Sequence, residues 1–179
     1  MRTAALAAVV LASLATGACS SDPTSPDEPS GEELMSVAWS PCDDLTAEQV
    51  SAVVGESVVE QAGTADEPRC AFTPKAEGGA AYDLNYLWFD GGLDAALGAM
   101  GAMGAAGSQL RPVDVPGANA ARLAVRERRT GLLVTGFVET DGLVQSVNVV
   151  QLAPYDADEV VDATTGLLAE LATLAPEAP

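Results

Sequence analysis

Residues 121–152 read ARLAVRERRTGLLVTGFVETDGLVQSVNVVQL, and this stretch decides the fold. Three runs rich in valine and leucine, Ala121–Arg128, Leu132–Glu139 and Leu143–Leu152, are separated by Arg129-Thr130-Gly131 and Thr140-Asp141-Gly142. Short apolar runs bounded by turn residues predict strands. An Asp-Gly pair between two such runs is a strong hairpin signal, because the favoured two-residue turn needs positive φ at both central positions. Strands joined this tightly pair antiparallel, since a parallel crossover needs a dozen or more residues.

Upstream, Tyr82, Leu84, Tyr86 and Trp88 alternate with Asp83 and Asn85, which predicts a further strand. Shorter strands are expected at residues 57–61 and 70–72. Thr46 with Gln49 three residues on forms a capping box, and Val50, Val53 and Val54 follow at helical spacing up to Gly55. In the segment after Gly92, Leu93, Leu97 and Met100 share a helical face, but Gly98, Gly101, Gly104 and Gly107 weaken that helix. A last helix is opened by Asp156 with Glu159 as capping partner, and Val160, Thr164, Leu167, Leu168 and Leu171 form its inner stripe. Tightly turned strands with helices near both ends predict an α+β fold: an antiparallel sheet with helices packed on one face.

The N-terminus carries an address. Arg2 precedes an apolar run, Ala4 to Ala15, that is too short to span a bilayer. Thr16-Gly17-Ala18 then leads into Cys19. A small-residue cleavage site ending on cysteine is the pattern of a lipoprotein signal peptide, here residues 1–18. Cys19 becomes the lipid-attachment residue, carrying a diacylglyceryl group with palmitate-type chains, and two acyl chains anchor stably where one is marginal. Residues 19–36 are rich in Ser, Pro, Asp and Glu with no aromatic or basic residue, the composition of a disordered acidic linker. A single folded domain is expected over 37–175. The expected location is the extracytoplasmic side of the cell membrane, with the N-terminal lipid as the membrane contact. With Cys19 acylated, Cys42 and Cys70 remain as an even pair in an oxidising compartment and are expected to form a disulfide. A metal or redox role for them lacks a CxxC spacing.

Pro41-Cys42-Asp43-Asp44-Leu45-Thr46 leading to Gly55, then Arg69-Cys70-Ala71-Phe72 and Val115-Pro116-Gly117, resembles the pattern of an actinobacterial lipoprotein family, a domain of unknown function. The likeness runs from about Ser40 to Leu174. It implies an exported cell-envelope lipoprotein with a paired-cysteine α+β domain, and it supplies no catalytic residues.

Composition narrows the chemistry. The 179 residues carry 8 basic and 26 acidic side chains, a net charge of −18, which opposes nucleic-acid binding. Loss of residues 1–18 removes Arg2 and no acid, so the mature chain is one unit more negative. There is no histidine, which excludes Ser-His-Asp and Cys-His catalysis and imidazole metal sites. Asp156-Ala157-Asp158 lacks the continuation of a calcium loop. No cofactor or metal site is expected, and a carboxylate-based enzyme has no pair of acids that stands out.

Two sets of residues remain as candidate sites. Arg122, Arg126 and Arg128 share strand parity and with Arg129 make four of the seven basic residues of the mature chain. They read either as a strip for an anionic partner or as cross-strand ion-pair partners of carboxylates such as Glu139. Tyr82, Tyr86 and Trp88 read either as the lining of an apolar ligand groove or as core. The Gly/Ala/Met segment 97–107 reads either as an adaptable partner surface or as a helix packed closely on the sheet. The expected function is a non-catalytic binding module at the cell envelope, for an envelope protein or a small ligand. A carrier of an apolar or lipidic ligand is the alternative.

Overall fold

The domain opens with two caps in series. Ser40 accepts a hydrogen bond from the Cys42 N–H at 3.4 Å, and Asp43 accepts one from the Ser40 N–H at 2.7 Å. With Pro41 at the first helical position this closes the short helix α1 (Pro41–Asp44). The Thr46–Gln49 capping box then starts α2 (Ala47–Val54), which ends on Gly55 in the left-handed conformation at φ 74°. The computed structural model describes residues 39–64, 69–102 and 109–177. The signal peptide, Cys19, the acidic linker and part of the 97–107 segment lie outside the described residues.

Among the described residues seven strands follow in one antiparallel sheet. They are β1 (Val58–Ala62), β2 (Cys70–Pro74), β3 (Ala81–Trp88), β4 (Arg111–Pro112), β5 (Ala120–Arg128), β6 (Gly131–Thr140) and β7 (Leu143–Leu152). Their order is β1-β2-β3-β7-β6-β5-β4, so two meanders meet where β3 pairs with β7. The Asp-Gly hairpin forms as its sequence predicts. Thr140 pairs with Leu143, and Asp141 and Gly142 take φ values of 50° and 86°.

Alternation along these strands separates two faces. One face presents Phe72, Tyr82, Leu84, Leu123, Val134, Val147 and Val149 to α2 and to α4 (Ala157–Thr173), forming the main core. The inner stripe expected on α4 is buried throughout, with Ala163 and Ala172 added. Asp156 caps α4 by accepting from the Asp158 and Glu159 N–H groups; Glu159 thus contributes its backbone donor. A buried polar contact locks the far end of α4, where the Gln145 amide donates to the Leu171 carbonyl at 2.9 Å. The Cys42–Cys70 disulfide forms, with Cα atoms 5.4 Å apart, and ties α1 to the start of β2. The result is the expected α+β fold: an antiparallel sheet with α2 and α4 packed against one face, and one disulfide.

Helix α3 (Leu93–Ala99) forms in the segment whose glycines are expected to weaken it. It stops at Met100, and Gly101 follows in the left-handed region at φ 71°, where glycine lacks the Cβ penalty. Leu93, Ala96 and Leu97 make a small second cluster with Val144, Phe137 and Ala120. These partners alternate with the main-core residues, so α3 covers one end of the reverse face.

Candidate functional site

The aromatic strand faces the core. Tyr82 is 3% exposed within the main cluster. Burial raises its phenol pKa far above the ordinary tyrosine range, and the negative charges of Glu56 and Glu159 raise it further. The Tyr86 ring meets the edge of Trp39 with centroids 5.2 Å apart, and the Trp39 indole donates to Asp44 at 2.8 Å. Trp88 is half-buried at the end of β3. The cleft beside Tyr82 measures about 100 Å³ and is lined by Glu56, Gln151 and Glu159 as well as Val54 and Val160. A space of that size and charge suits a few waters rather than an acyl chain.

Among the described residues the reverse face is open beyond α3, and strand register arranges it in rows. A polar row crosses the middle: Gln61 pairs across to Ala71, Ala71 to Asp83, Asp83 to Asn148, and Asn148 to Thr135. Its side chains are knitted together. Asn85 donates to Asp83 at 2.9 Å, Thr135 to Asn148 at 3.2 Å, and the Arg69 Nε lies 3.8 Å from Asp83. An open groove of about 590 Å³, lined by Gln61, Arg69, Asp83 and Asn85, occupies one end of this row. The next row is apolar. Val59 stands opposite Thr73, Ala81 opposite Val150, Val150 opposite Leu133, and Leu133 opposite Arg126. Val59, Val150 and Leu133 are 45%, 47% and 38% exposed, and Leu152 at the end of β7 is 68% exposed.

The structure divides the three arginines. Arg122 faces α3, where its Nη2 lies 3.1 Å from the Asp94 carboxylate and its Nη1 donates to the Ala121 carbonyl at 3.0 Å. It pins α3 to the sheet, and its carboxylate partner is Asp94. Arg126 and Arg128 stand at the opposite end of β5, beside the apolar row, with exposed Arg129 in the turn that follows. Sequence parity grouped the three correctly on one face. What it missed was the helix that takes Arg122 and the exposed Leu133, Val150 and Leu152 that flank the other two. The alternation of β6 and β7 carried that signal.

The Arg122–Asp94 pair supports a local prediction. Half of it is exposed, so Arg122→Ala should cost the domain about 1 kcal/mol or less. Amide exchange in residues 93–99 should nevertheless accelerate more than exchange in β6, because the pair holds a short helix with few other polar contacts. Equal acceleration in both elements would remove the pinning role.

Among the described residues no group of three His, Cys, Asp or Glu side chains converges as a metal site, and no helix is long and apolar enough to cross a membrane. Comparison with known protein families, with characterised proteins and with solved structures gives no match to this chain.

Proposed function

We propose that the protein is a lipid-anchored extracytoplasmic module that works by binding, without catalysis, and that the open face of its sheet is the working surface. The observation that carries this reading is the asymmetry of the two faces. One face is closed by α2 and α4 around a dense aliphatic core. The other, among the described residues, leaves a polar row and an apolar row side by side in solvent, and soluble domains ordinarily leave large aliphatic side chains only singly exposed. The aromatic strand lies on the closed face, which speaks against a carrier of apolar ligands. The address rests on Cys19 and the residues before it.

Two measurements test the proposal. Wild-type protein should sediment with membranes and need detergent for release, whereas Cys19→Ala should appear in the soluble fraction or as an uncleaved precursor. A variant still membrane-bound with full-length signal removed would exclude lipid attachment at Cys19. Photoreactive residues at Thr135 and Asn148 on the open face should cross-link partners in the envelope, while one at Asp162 on exposed α4 should not. Cross-links from Asp162 alone would place the working surface on the helices instead.

A further inference from the structure

The rows of the open face end in a corner of distinct chemistry. Arg126 lies directly across from Leu133, and Arg128 across from Gly131, which in turn pairs with Leu152. Arg129 occupies the adjoining turn, and Lys75 begins the β2–β3 turn at the same end of the sheet, its N–H bonded to the Ser57 carbonyl. Four of the seven basic residues of the mature chain therefore stand along one end, around exposed Leu133, Val150 and Leu152. Lys75, Arg128 and Arg129 make no side-chain ion pair among the described residues. Acids are present nearby. Glu77 is in the Lys75 turn, Glu127 has the opposite strand parity, Asp156, Asp158 and Glu159 open α4 on the helix side, and Glu56 lines the helix-side cleft with Glu159. The other end of the sheet carries Asp90, Asp94, Glu139 and Asp141, with Arg122 paired to Asp94.

We infer that this basic-apolar corner docks the domain onto an anionic lipid surface. The inference rests on the proposed anchor, which holds the bilayer at an effective concentration near ~1 mM, so that weak affinity suffices to orient the body. Guanidinium forks match phosphate oxygens, and aliphatic side chains beside them enter the headgroup region. Two separations set the corner apart from the net negative charge of the domain: the acids at this end, Glu77 apart, lie on the helix side of the sheet, and those at the other end are remote. β7 is 10 residues long, so the acidic end lies about 33 Å from the corner. That is several times the Debye length of about 8 Å at physiological salt. The tether also reaches. The described chain starts at Trp39, whose ring contacts Tyr86 toward the acidic end, so the tether must span the sheet for the corner to touch lipid. From Cys19 to Trp39 the chain extends to roughly 65 Å, about twice that span.

The test supplies the anchor chemically, which separates it from the question of natural acylation. The mature chain from Cys19 is coupled through that thiol to a maleimide lipid, in vesicles of phosphatidylcholine with or without phosphatidylglycerol. Backbone amide exchange is then read at the Arg129–Thr130 turn and at Ala153. Phosphatidylglycerol should slow these amides severalfold and leave those of Asp141 and Gly142 unchanged. Each basic residue beside an anionic bilayer raises affinity about fivefold, so Arg128→Glu with Arg129→Glu should weaken docking by about thirtyfold or more and abolish the effect. Leu152→Ser, at a more exposed position, should reduce it without altering the melting temperature. No slowing on phosphatidylglycerol, equal slowing at Asp141, or insensitivity to both variants would overturn the inference. Slowing produced by an added acidic protein in its place would reassign the corner to a protein partner.

Discussion

Removing the Cys42–Cys70 disulfide, by reduction or in the Cys42→Ala/Cys70→Ala variant, should lower the stability of the domain by about 3–4 kcal/mol. The bond closes 28 residues, and the loss of that closure widens the unfolded ensemble. The melting temperature should fall by roughly 10 °C for a domain of this size. The location makes the effect global. Cys70 starts β2 inside the main core, and the closed loop contains all of α2 and β1, which pack on β2 and α4. Thermal melts with and without reductant measure the difference. A shift below about 2 °C would mean that α1 and β2 stay docked through Leu45, Val50 and Phe72 without the covalent link, and that the unfolded chain is already compact.

The elements legible in the sequence are those whose signals are local. The Asp141-Gly142 turn sets its own hairpin and register, the Thr46–Gln49 box starts α2, and the stripe from Val160 to Leu171 finds its buried side. Each depends on residues within one or two turns of chain. Other features depend on distant partners. β4 is two residues, Arg111 and Pro112, and exists as a strand only because Leu123 and Arg122 lie beside it. α1, closed by the Ser40 and Asp43 caps, is four residues long and too short to show an apolar period. The meeting of β3 with β7 spans some sixty residues and leaves no mark on either strand. The same limit governs the candidate site. Parity placed Arg122, Arg126 and Arg128 together, but Asp94, 28 residues earlier, assigns Arg122 a structural partner. Parity likewise could not say which face of β3 the helices cover, and so left Tyr82, Tyr86 and Trp88 open between groove and core.

The contact between α4 and β6 turns on one glycine, and it should couple strongly to the leucine above it. Gly136 pairs with Leu123 and Val147 in the middle of the sheet. A Cβ built there would come within 2.9 Å of Leu168 Cδ1 and 3.1 Å of Thr164 Cγ2. The helix therefore sits closer to the sheet at Gly136 than an alanine allows. Gly136→Ala should destabilise by about 1–2 kcal/mol, because overpacking outweighs the entropy gained by replacing a strand glycine. Leu168 is fully buried directly above, so Leu168→Ala should cost about 3 kcal/mol in lost transfer energy and cavity. The double variant separates the two effects. Without the Leu168 methyl groups the new Cβ meets only Thr164, and it fills part of the space that leucine left. Its loss should fall short of the sum of the single losses by about 1–2 kcal/mol, a coupling typical of touching side chains. Urea denaturation of the four chains gives this number directly. Additivity to within about 0.5 kcal/mol would show that α4 lifts off β6 to accommodate the methyl, and that the close approach at Gly136 is not fixed by Leu168.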